Sequence, residues 1–175
     1  MSFAEAVKGK EEIAILNLVS IFGVIEDQQL RELFDFLPSK SYLRIIKEFQ
    51  HNGVILWSED KHFIFSSRPL FERIDIDGRI LCFSAFKYIK NNVREFSIGP
   101  PPTVIIVSNG ATTYDLIPIN VGIEAINAQA DLIPDDAVRF LVGRDLREYE
   151  GVLHRFNNDF AALVTPEGKV NLYRL

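Results

Sequence analysis

Residues 38–66 read PSKSYLRIIKEFQHNGVILWSEDKHFIFS, and the order of signals inside this stretch decides the fold of the first half. Pro38 and Ser39 open a helix in which Tyr42, Ile45, Ile46 and Phe49 recur at helical spacing and form one apolar face. Lys40, Arg44, Lys47 and His51 recur at the same spacing on another face, so a basic stripe looks outward. Asn52 and Gly53 supply the left-handed residues that commonly end a helix. Val54 to Ser58 then pairs with His62 to Ser66 across Glu59, Asp60 and Lys61. The stretch is therefore a two-faced helix, a glycine stop and a hairpin.

Upstream, residues 1 to 10 are small and charged and lead into a helix over Lys10–Phe22. Ile13, Leu16, Leu18, Val19, Ile21 and Phe22 cover more than one face of it, which predicts a core helix flanked on two sides. Gly23 stops it. Val24 and Ile25 make a short extended segment, and Asp27 is expected to N-cap a second helix that carries Leu30, Leu33 and Phe34 and is closed by Pro38. The connection from Leu37 to Ser39 is then a tight turn between two helices.

With this order of helix, short strand, helix, helix, strand and strand, residues 11–66 resemble the winged-helix superfamily. Together with the α/β half that follows, the chain also resembles uncharacterised winged-helix proteins of bacterial mobile elements, including the replication-relaxation type. The first resemblance implies that the Ser39–Asn52 helix lies in the major groove of double-stranded DNA, with Lys40, Ser41, Tyr42, Arg44, Lys47 and His51 placed to meet phosphates or base edges. One feature departs from that pattern: the wing tip reads Ser58, Glu59, Asp60, Lys61, and two carboxylates there repel phosphate. The alternative is a protein-interaction module, binding a protein or a second copy of the chain as a homodimer. The basic stripe is then a solvated helix face on which Glu48 pairs with Arg44.

Downstream, Ser67 to Arg73 is a connector containing Pro69. A long helix over Asp75–Asn92 follows, with Ile80, Leu81, Phe83, Phe86, Tyr88 and Ile89 around most of its surface, as expected of a joint between two domains. Lys87, Lys90 and Arg94 form a basic strip read as a solvated edge. Pro100 to Pro102 form an extended break. Thr103–Val107 and Thr113–Ile119 read as a hairpin around Ser108, Asn109 and Gly110. A helix over Val121–Leu132, a strand over Val138–Val142, a polar helix over Asp145–Leu153, and a hairpin of Phe160–Thr165 with Lys169–Leu175 complete the chain. The expected class is α+β: a winged helix-turn-helix domain over 1–70 and a small mixed α/β domain of five or six strands over 71–175.

An α/β half joined to a winged helix is similar to the restriction-endonuclease-like fold, whose metal site takes an Asp and then Glu-x-Lys on adjacent strands. Asp115 matches the first acid, but Glu167-Gly168-Lys169 matches the rest only within a turn that Pro166 and Gly168 already explain. A degenerate nuclease-like scaffold without its active site is the third reading. The chain holds no phosphate-binding glycine loop and no nucleophile elbow. His51, His62 and His154 lack metal-ligand spacing, and Asp135 and Asp136 read as a surface turn. No catalytic residue, metal or cofactor is expected. The net charge of −5 excludes a protein that coats nucleic acid non-specifically, so any DNA contact is local. The single cysteine, Cys82, rules out an intramolecular disulfide and fits a buried apolar position in a reduced compartment. Ile13–Phe22 is short of the ~20 residues of a membrane span, so a cytoplasmic, non-enzymatic regulatory protein is the expectation.

Overall fold

A computed structural model describes residues 9–121, 137–149 and 160–174, and over these residues the chain is α+β. It divides between Ile76 and Asp77 into two compact units. The expected lead over residues 1–8, the helix beyond Val121, the Asp135–Asp136 turn, His154 and the end of the Asp145–Leu153 helix lie outside the described residues.

The first unit begins with α1 (Lys10–Phe22), which buries Ile15, Leu16, Leu18, Val19 and Phe22, while Ile13 stays 49% exposed. Gly23 ends α1 with φ +75°, and its N–H returns to the Val19 carbonyl at 2.9 Å. β1 (Val24–Glu26), α2 (Asp27–Leu33) and α3 (Ser39–His51) follow, then β2 (Leu56–Trp57) and β3 (Phe63–Phe65). The three strands form one antiparallel sheet in the order β1-β3-β2, with Phe65 opposite both Val24 and Leu56. The chain segment ahead of α2 thus closes onto the hairpin behind α3. Packed between these elements are Leu30, Tyr42, Ile45, Ile46, Phe49, Ile55 and Ile64, all buried.

Three local expectations are corrected. Asp27 is the first residue of α2 and not its cap. Its N–H bonds the His62 carbonyl at 2.9 Å, so the helix start is anchored by the hairpin. α2 ends at Leu33 and not at Pro38, because the Phe34 and Leu37 N–H groups close successive turns onto Arg31 and Phe34. Asn52 has φ −82°, and Gly53 alone, at φ +67°, takes the left-handed position after α3. The Pro69 connector contains α4 (Arg68–Phe71), capped by the Ser67 hydroxyl accepting from the Leu70 N–H at 3.4 Å. Phe71 stacks on Phe65 with ring centroids 4.3 Å apart, so residues past 70 belong to the first unit.

The second unit holds all but the first residue of α5 (Ile76–Ile89), which runs into a single 3₁₀ turn at Lys90–Asn92. Its sheet has six strands in chain order: β4 (Glu95–Ile98), β5 (Ile105–Ser108), β6 (Thr113–Pro118), β7 (Val138–Gly143), β8 (Phe160–Val164) and β9 (Val170–Arg174). β6, β7 and β8 run parallel, and the flanking pairs are antiparallel. The proline run is a hairpin turn between β4 and β5 and not a break before the sheet. The Thr103 N–H closes it onto the Pro100 carbonyl at 2.8 Å, and the Pro101–Pro102 bond is cis. Leu146–Tyr149 forms a 3₁₀ turn where the polar helix was expected.

Candidate nucleic-acid interface

α3 is built by its two faces. Tyr42, Ile45, Ile46 and Phe49 point into the core of the first unit, and burying such side chains contributes roughly 1.5–3 kcal/mol each. With that face fixed, helical geometry turns Lys40, Lys47 and His51 outward, and all three are exposed. Among the described residues none of the three has a side-chain partner.

The other three candidate residues are placed differently. Tyr42 is only 1% exposed, so its ring cannot reach a phosphate or a base edge, and it leaves the candidate set. Its hydroxyl donates to Asp27 Oδ1 at 3.0 Å while the Arg31 guanidinium lies over its ring at 5.4 Å. Burial first, and the Asp27 carboxylate second, push the Tyr42 phenol well above its ordinary range. Ser41 is half-buried in the first turn, its N–H bonded to the Pro38 carbonyl at 2.8 Å. Arg44 is exposed but shared between Glu48 at 3.3 Å and Glu12 of α1 at 3.7 Å. Exposed pairs of this kind contribute about 0–1 kcal/mol, so the guanidinium exchanges readily to another anion.

Hydrogen bonds within the β2–β3 turn position one of its two acids. The Asp60 carboxylate accepts from the Ser58 hydroxyl and from the His62 N–H at 3.0 Å, and Ser58 Oγ in turn accepts from the Phe63 N–H at 2.9 Å. These bonds, the Ser58 one foremost, hold the Asp60 carboxyl below its usual pKa. Lys61 takes a left-handed φ of +58° within the same turn. Asp60 thus shapes the turn while keeping its negative charge, and with Glu59 it leaves two carboxylates at the tip. Two features around α3 were not anticipated. Glu12 is distant in sequence and only tertiary folding brings it to Arg44. Phe36, between α2 and α3, is 66% exposed, and its position in a turn was a readable signal.

In the second unit, Asp115 of β6 is buried, and its register partners are Ile106 on β5 and Arg139 on β7. No second acid stands beside it on either strand. Glu167 lies in the β8–β9 turn, where its carboxyl interacts with the Thr165 side chain. Among the described residues no three His, Cys, Asp or Glu side chains gather as a metal site, and no helix is long and apolar enough to cross a membrane. Compared with protein-family models, curated proteins and solved structures, the chain finds no match.

Proposed function

We propose that the first unit is a winged helix that lays α3 against double-stranded DNA, and that the protein acts as a non-enzymatic DNA-binding regulator. The observation that carries this reading is the division of α3 into a buried apolar face and an exposed face presenting Lys40, Lys47 and His51, with Arg44 weakly held beside them. Lysines without carboxylate partners contact phosphates and release counterions, which provides affinity without sequence information. The overall negative charge fits a contact restricted to one helix face. The test is a titration of the protein with duplex DNA at two salt concentrations. A steep loss of affinity with salt is expected; no binding at low salt would refute the reading.

A second reading rests on a separate observation. Phe36 is largely exposed in the turn ahead of α3, and an aromatic side chain there suits a protein partner. In that case binding of the partner depends on Phe36 and is nearly independent of salt.

A further inference from the structure

The second unit has a concavity to which the DNA-binding proposal assigns nothing. A pocket of about 280 Å³ is lined by Tyr88 and Ile89 of α5, by Asn92, and by Tyr114, Phe140 and Phe160 of the sheet. Tyr114 and Phe160 stand at the starts of β6 and β8, and Phe140 is the third residue of β7 between them. Phe140 and Phe160 are register partners with rings stacked at 5.3 Å, and Tyr114 meets Phe140 edge-on at 5.4 Å. Asn109 holds the tyrosine in place, its Nδ2 donating to the Tyr114 hydroxyl at 3.2 Å while its Oδ1 accepts from the Ala111 and Thr112 N–H groups. The α-helix ends at Ile89, leaving Tyr88 at 56% exposure on the rim. The Asn92 amide, also on the rim, has no hydrogen-bond partner among the described residues.

Tyr88 also lines a second, more open depression of about 400 Å³ with Ser84, Lys87, Lys169 and Asn171. Lys169 follows the left-handed Gly168 of the β8–β9 turn and is exposed. An aromatic slot and a two-lysine depression therefore adjoin at one tyrosine. The slot lies just below the ~300–1,000 Å³ of pockets for drug-sized ligands, so it suits one ring system and not a dinucleotide.

We propose that the second unit binds a nucleoside monophosphate, its base against Tyr88, Tyr114 and the Phe140–Phe160 pair and its phosphate in the adjoining depression beside Lys169. Bases stack on aromatic faces whatever their identity, and the free Asn92 amide can both donate to and accept from a base edge. The exposed Lys169 ammonium meets the phosphate as a point charge. The site lies within the second unit, so it does not depend on the DNA-binding reading.

The experiment is calorimetric titration of the whole protein with AMP, UMP, adenosine and inorganic phosphate, repeated on Tyr88→Ala and Lys169→Glu. Both residues are exposed, and circular dichroism checks that each variant keeps the fold. Saturable binding of a monophosphate is expected, weakened about tenfold for nucleotide and nucleoside alike by Tyr88→Ala. Lys169→Glu should weaken the nucleotide about fivefold and leave adenosine unchanged. Absence of saturable binding by either monophosphate, binding unaltered in both variants, equal binding of inorganic phosphate, or an equal loss of adenosine in Lys169→Glu would each overturn the proposal.

Discussion

The bond from the Tyr42 hydroxyl to Asp27 joins the first turn of α3 to the first turn of α2, and it gives the first unit a specific alkaline weakness. Burial raises this phenol above its ordinary pKa of 10.0, with Asp27 adding to the effect and Arg31 opposing it. Burial does the same to Tyr149 in the second unit, whose hydroxyl donates to the Leu141 carbonyl at 2.9 Å. Below the unfolded value both phenols are neutral in both states, so their contribution is fully present and stability does not vary with pH through them. Above about pH 10 the unfolded chain releases these protons and the folded one keeps them, so stability falls by up to about 1.4 kcal/mol per pH unit for each tyrosine. Tyr42→Phe should cost about 1 kcal/mol at neutral pH and flatten the alkaline limb, as read by denaturant unfolding between pH 8 and 11. Gly23 offers a sharper test. At φ +75° an added Cβ would stand 2.6 Å from Ile74 Cδ1 and 3.2 Å from Leu70, so Gly23→Ala should destabilise by roughly 1–2 kcal/mol or more. A thermal midpoint equal to that of the parent would contradict this packing. Tyr42 also marks where sequence reading stopped. Its spacing placed it on the apolar face, and only contact with α2 shows that nothing of it is left for a ligand.

Among elements, legibility followed how local the determining interactions are. α1, α3 and the hairpins β2–β3, β5–β6 and β8–β9 announce themselves through periodicity and turn residues within a few positions of one another. The β1–β3 pairing joins distant segments and has no local signal. β4 alternates polar and apolar residues over only four positions, Glu95 to Ile98, too short a run to stand out ahead of the prolines, and α4 was hidden by Pro69, which fits the first turn of a helix as well as a connector. For the candidate interface, Lys40, Lys47 and His51 were legible from helical spacing alone, whereas the pairing of Arg44 with Glu12 was not. The clean variant of α3 is therefore Lys40→Ala with Lys47→Ala, which leaves the pairing of Arg44 with Glu12 and Glu48 intact. It should reduce the salt slope of DNA binding by about 1.8 while leaving the thermal midpoint nearly unchanged. An unchanged slope would mean that this face is not the contact. At the β2–β3 tip, Glu59→Lys should steepen the slope by about 0.9, whereas Asp60→Lys also removes the Ser58 and His62 bonds and should loosen the turn. If Glu59→Lys leaves the slope as it was, the tip does not face phosphate.

At the scale of the whole molecule, the chain joins two compact units with different chemistry. The first has an exposed basic helix face, and the second has an aromatic pocket beside two lysines. Each unit encloses its own sheet, so the fragment 1–76 should unfold cooperatively by itself, with a helical circular-dichroism signal; a non-cooperative melt would show that it needs the rest of the chain. The central claim concerns which surface meets DNA, and backbone amide NMR of the whole protein during titration with a short duplex tests it most directly. The account predicts chemical-shift changes concentrated on Lys40 to His51 and on the β2–β3 turn, fading as salt is raised. Changes confined to the second unit, or none at low salt, would contradict it.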